Sequence, residues 1–153
     1  MARRPPFIAV LVAIAIVLVA LLTAIVPHRT LILTVVTDRT AYGTGQPIPF
    51  YVRVIVGGNQ PLNLSLSVCT IGFAVLSEFG ETVYRVAPFQ SPMRNRCGLT
   101  QMTLLRPGET RIVNFTWTPS ADVPLGHWYT IRPEIALSAP IQLRIETAQV
   151  LLQ

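Results

Sequence analysis

Twenty consecutive residues, Phe7 to Val26, carry no charge, no glycine and no proline, and their only polar side chain is Thr23. As a helix rising 1.5 Å per residue the run is about 30 Å long, the thickness of a bilayer's hydrocarbon layer. A helix suits that solvent because it pairs its own backbone N–H and C=O groups where no water can. Arg3 and Arg4 precede the run and Pro27 stops it. Arginines at the N-terminal flank favour the cytoplasmic side and direct the rest of the chain outward. The expected organisation is a short basic cytoplasmic segment (1–6), a transmembrane signal anchor (7–26) and an extracytoplasmic domain (30–153). The expected location is the cell membrane, crossed once.

Two other readings share parts of this pattern. A cleaved secretory signal also has a basic start and an apolar run, and Leu22-Thr23-Ala24 could serve as its cut; the run exceeds the usual signal core, which favours retention. A buried helix of a soluble protein is seldom apolar on every face.

Beyond the run about 125 residues remain, enough for one domain with its own core. From Thr30 onward nine arginines face seven acidic residues, dispersed along the chain. No basic stripe with interleaved aromatics marks a nucleic-acid surface. The chain has no lysine, which excludes Schiff-base chemistry.

Alternation sets the fold class. Ile48, Phe50, Val52, Val54 and Val56 alternate with Pro49, Tyr51, Arg53 and Ile55, the period of a strand buried on one face. Thr30–Thr37 is β-branched. Leu62, Leu64, Leu66 and Val68 alternate with Asn63, Ser65 and Ser67. Ile71–Ser77 and Thr82–Ala87 flank Glu78-Phe79-Gly80-Glu81 as a hairpin, and Leu99–Leu105 ends at the turn Arg106-Pro107-Gly108-Glu109. Arg111–Trp117, His127–Ile131 and Ile141–Thr147 follow. Eight or nine short strands with turns every 8–12 residues predict an all-β, antiparallel immunoglobulin-like sandwich behind the single transmembrane helix.

Several motifs occur in order: Tyr42-x-x-Gly45-Gln46-Pro47-Ile48-x-Phe50, Gly80-Glu81-x-Val83-Tyr84-Arg85, Leu105-x-Pro107-Gly108-Glu109-Thr110, Phe115-x-Trp117 and Pro124-Leu125-Gly126-x-x-Tyr129. The series resembles the BsuPI-type (intracellular proteinase inhibitor) domain over roughly Leu31 to Ile131. The resemblance implies an immunoglobulin-like sandwich and, as an alternative function, a proteinase inhibitor presented on the membrane. An inhibitor would work through loops such as Pro88–Gly98 or Pro119–Gly126. The membrane anchor and the cysteine pair depart from that family.

Cys69 and Cys97 both follow the apolar run, and an oxidising exterior favours a bridge between them. It would close a loop of about 28 residues and stabilise by about 3 kcal/mol. Two buried free thiols are the alternative. Asn63-Leu64-Ser65 and Asn114-Phe115-Thr116 are glycan acceptor patterns, making Asn63 and Asn114 candidate glycosylation sites. Arg94, Arg96, Asp122 and His127 fall in loops and are candidate binding residues.

Catalytic signatures are missing from the sequence. There is no Gly-x-Ser-x-Gly elbow, and His127 is the one histidine well beyond the membrane boundary. Cys97-x4-Met102 hints at blue copper, but that site needs two histidines with its cysteine. Acidic residues at turns are usually solvated, and calcium needs several converging oxygens. No metal, cofactor or small-molecule substrate is expected. Trp117 and Trp128 read as core or as packing beside a tyrosine corner at Tyr129, with a binding platform as the alternative. The sequence thus points to a non-enzymatic surface protein. Its partners would be membrane lipid through the helix, and another protein or itself through the sandwich. A filament subunit, by strand donation or helix bundling, is a third reading.

Overall fold

A computed structural model describes residues 7–25, 28–67, 69–88, 102–137 and 141–153, with side chains of the first helix described for 10–19. Helix α1 covers Phe7–Ile25. Eight large apolar side chains along its described part stand 42–63% exposed. Those described side chains cover about 15 Å of helix, and among the described residues no helix is long and apolar enough to cross a membrane.

Eleven strands follow among the described residues: β1 (Arg29–Thr37), β2 (Ala41–Tyr42), β3 (Ile48–Gly58), β4 (Leu62–Leu64), β5 (Ile71–Ser77), β6 (Thr82–Val86), β7 (Thr103–Leu105), β8 (Thr110–Trp117), β9 (Trp128–Ile135), β10 (Gln142–Glu146) and β11 (Ala148–Leu152). One sheet has the order β10-β1-β3-β8, the second β2-β11-β9-β5-β6, and β4 pairs with β7 as a two-stranded piece. Between the two large sheets lie Leu31, Leu33 and Val35 of β1 and the alternating Ile48 to Val56 of β3. Facing them are Ile71, Phe73 and Val75 of β5, Tyr129 and Ile131 of β9, and Val150 and Leu152 of β11. Each such side chain contributes about 1.5–3 kcal/mol by leaving water. Phe50 meets Phe73 edge-on at 4.8 Å and Phe115 face-on at 5.7 Å, so aromatic rings tie the sheets together.

The sandwich is mixed, which corrects the purely antiparallel expectation. β1 pairs with β10 in parallel, and β2 with β11 in parallel. Both chain ends cross between sheets: the first segment leaves β1 and enters β2, and the last leaves β10 at Thr147 and enters β11. Running the same way, they pair in parallel wherever they meet.

Four other expectations change. Among the described residues, the alternation expected from Leu62 to Val68 yields the three residues of β4, and Val68 lies outside them. Ser67 and Thr70 turn the chain instead: the Thr70 hydroxyl accepts the Ser67 N–H at 3.0 Å, and the Ser67 carbonyl accepts the Ile71 N–H at 2.9 Å. β9 runs on to Ile135 through Pro133. β11 spans only Trp128–Ile131 of its flank, so the missing N–H of Pro133 interrupts no β11 ladder. Leu143 and Ile145 sit in register beside buried Leu31 and Leu33 but stay about two-fifths exposed, because β10 is an edge strand. β2 and β11 were not expected at all. Leu99 to Gln101 of an expected strand lie outside the described residues.

Candidate functional site

The strand directions give the sandwich two ends. At the near end are the starts of β1 and β10 and the turns 57–61 and 106–109. At the far end are the crossover 38–40, the hairpin tip 78–81 and the loop 118–127.

The far end carries the largest exposed aromatic side chains. The hairpin tip is fixed by its backbone: the Gly80 N–H donates to the Ser77 carbonyl at 2.9 Å and the Ser77 N–H to the Glu81 carbonyl at 2.8 Å. Gly80 takes φ +82°, a left-handed turn that favours glycine. This geometry lifts Phe79 into solvent at 81% exposure. Beside it, His127 Nδ1 lies 2.8 Å from Glu78 Oε1, joining the hairpin to the loop before β9. Trp128, next to His127, is 44% exposed, and Leu125 is 47% exposed.

That second loop is also fastened by hydrogen bonds. The Tyr129 hydroxyl donates to the Pro124 carbonyl at 2.7 Å, a tyrosine corner at the start of β9. Burial, then the nearby Glu78 charge, pushes the Tyr129 hydroxyl above its ordinary pKa. The Gly126 N–H donates to the Leu152 carbonyl at 2.7 Å, fastening the loop to β11. Trp117 packs edge-on against Tyr129 at 5.9 Å and is fully buried. Of the two tryptophans, Trp117 is core and Trp128 is surface.

Across the same end the Tyr42 hydroxyl donates to Asp38 Oδ1, and Arg39 Nε sits 3.4 Å from Asp38 Oδ2. Burial, then this hydrogen bond, pushes Tyr42 up to about 12. The bond from Tyr42 holds the Asp38 carboxyl below its ordinary range.

The candidate residues scatter over three places. Asp122 and His127 share the far-end loop, but Asp122 is held low mainly by a hydrogen bond from Ser120 within its own turn. Asn114 is exposed on the outer face of β8, where it lines a shallow recess of about 460 Å³ with Tyr51 and Asp38. Asn63 is exposed on β4 at the near end, in register with Leu104. Arg94, Arg96 and Cys97 lie outside the described residues; Cys69 is buried and is not a free thiol. Among the described residues no three His, Cys, Asp or Glu side chains group as a metal site. Sequence reasoning passed over Phe79, although a large aromatic inside a glycine turn was the available signal.

No family model matches the sequence, and no curated protein matches it. Solved structures share the architecture. Spo0M, a sporulation control protein from Bacillus subtilis, is 14% identical with a TM-score of 0.55, over 80% of this chain and 49% of that one. A cycloisomaltooligosaccharide glucanotransferase from Paenibacillus is 17% identical with a TM-score of 0.51, over 82% of this chain and 14% of that one. The CARDB domain of PF1109 from Pyrococcus furiosus is 14% identical with a TM-score of 0.49, over 82% and 96%. At these identities the likeness to Spo0M and to the glucanotransferase is one of fold: an immunoglobulin-like β-sandwich.

Proposed function

We propose that this chain is a single-pass membrane protein whose external sandwich binds another protein through its far end, without catalysing a reaction. The supporting observation is the charge-free run of 7–26, whose described side chains stand in the open instead of packing on the sandwich core. Water is a poor solvent for such a surface and lipid a good one. With residues 1–6 in the cytoplasm, the near end faces the bilayer and the far end faces outward. Phe79 and Trp128, projected from rigid turns, have the character of interface anchors: large apolar side chains with little entropy left to lose. The external setting also suits a bridge from Cys69 to Cys97, which the intact mass of the native protein would register.

Washing native membranes at alkaline pH should leave the full-length protein in the pellet, and protease added to intact cells should remove the sandwich. Release into the supernatant would overturn the anchor. For the binding surface, Phe79→Ala and Trp128→Ala should each abolish recovery of the cross-linked partner while leaving the thermal transition in place. Retained recovery in both variants would move the interface elsewhere.

The BsuPI-type resemblance supports a second reading, a membrane-presented proteinase inhibitor. The loop 119–126 is fastened by Tyr129 and Leu152, and a rigid loop is what an inhibitor presents. A panel of serine and cysteine proteases left unslowed by the purified protein would end that reading.

A further inference from the structure

The near end carries chemistry unlike the far end. Arg29, Leu62, Asn63, Leu64, Leu104 and Ile141 are among the residues lining a notch of about 200 Å³ where β1 and β10 begin. Leu104 stands 59% exposed at its rim, and Met102, two residues earlier, is equally open. Arg106 and Arg111 flank the adjoining turn and are exposed; Glu109, the acidic residue between them, turns its Oε2 back onto the Arg106 N–H at 2.7 Å. At the far end the balance reverses, with Asp38, Glu78, Glu81 and Asp122 against Arg39.

Chain length fixes what meets this surface. Only residues 26–28 separate the end of α1 from Arg29, and three extended residues reach about 10 Å. Resting on the anchor reading above, we propose that the near end is a binding surface for anionic phospholipid: Arg29 and Arg106 take headgroup phosphates while Leu104 and Met102 enter the interfacial layer. Arginine pairs with phosphate through its planar fork, and apolar side chains beside cations settle at the boundary between headgroups and acyl chains. Two attachments, the helix and this face, fix the tilt of the sandwich and hold the Phe79 tip away from the membrane.

The test uses full-length protein reconstituted into vesicles containing phosphatidylglycerol brominated high on its acyl chains. A tryptophan introduced as Leu104→Trp should lose most of its added emission to the bromines, whereas Phe79→Trp should lose none. Adding Arg29→Gln and Arg106→Gln to Leu104→Trp should restore emission, as should replacing the anionic lipid with phosphatidylcholine brominated at the same acyl positions. Equal emission from the two positions in anionic vesicles, with the protein still floating with the vesicles after alkaline washing, would overturn the lipid surface and leave the anchor standing. Failure to float would overturn both. Quenching at 104 that ignores lipid charge and both arginines would reduce the contact to mere proximity and overturn the phosphate site.

Discussion

Backbone hydrogen bonds close both ends of the sandwich, but the two ends differ in what is added to them. At the near end it is close backbone packing. A Cβ on Gly72 would run into the Val86 carbonyl oxygen and the Pro88 ring where the chain leaving β6 crosses β5. The Gly108 N–H donates to the Val56 carbonyl at 2.7 Å, and Gly58, at φ +78°, would press a Cβ against the His28 carbonyl oxygen. The far end adds side chains to its backbone turns, through the Tyr129 corner, the Trp117–Tyr129 contact and the Glu78–His127 pair. At Gly72 and Gly58 the close backbone approach leaves no room for an added atom. Side-chain closure is graded, because each contact can be weakened separately.

The largest expected effect is at the near end. Gly72→Ala must displace backbone atoms and should cost about 3 kcal/mol in denaturant melts of the full-length protein. A cost no larger than that of an ordinary surface substitution would show that the near end yields, and the contrast would fail. At the far end Tyr129→Phe keeps the ring and loses one hydrogen bond, so the expected cost is about 1–2 kcal/mol in the same measurement.

The third expectation is a pH profile, read as the thermal midpoint against pH. Tyr42 has its pKa raised to about 12, so its protonated form is favoured by folding. Its contribution is complete below the ordinary value of about 10 and is lost as pH rises through 12. Asp38 is lowered, so its contribution is present above the ordinary carboxylate range and is lost as pH falls through the folded value. Tyr42→Phe should flatten both flanks; an unchanged profile would remove this bond from the far end's support. The smallest effect belongs to Glu78→Gln. The pair is exposed and screened by salt, so its loss should cost a few tenths of a kcal/mol and vanish at high ionic strength. A cost as large as that of Tyr129→Phe would place the pair among the far end's main supports.

Much of the fold was legible. β3 alternates over nine residues, from Ile48 to Val56, and every inward position is buried. Gly80 and Gly108 mark turns that adopt positive φ. The misses share a cause. β11 has only Val150 and Leu152 as its period-two signal, and β2 is two residues long, too short for any pattern. The serines after Leu64 preserve alternation while their hydrogen-bonding groups turn the chain. At the candidate sites, the loops of Asp122 and His127 were legible because loops are polar, but Glu78 as the partner of His127 was not, since 49 residues separate them.

By itself the sequence determined which solvent each part prefers and the two-residue period of the longest strands. Both are local properties: a side chain's transfer free energy and the pleat of one strand need no knowledge of the rest of the chain. The tertiary structure decided the pairing of β1 with β10, the sheet that β11 joins and the placing of Phe79 and Trp128 at the same end. The reason is physical: backbone hydrogen bonds are chemically alike whichever strands make them, so partner and direction are settled only when both chain ends compete for the same sheet edges around one core.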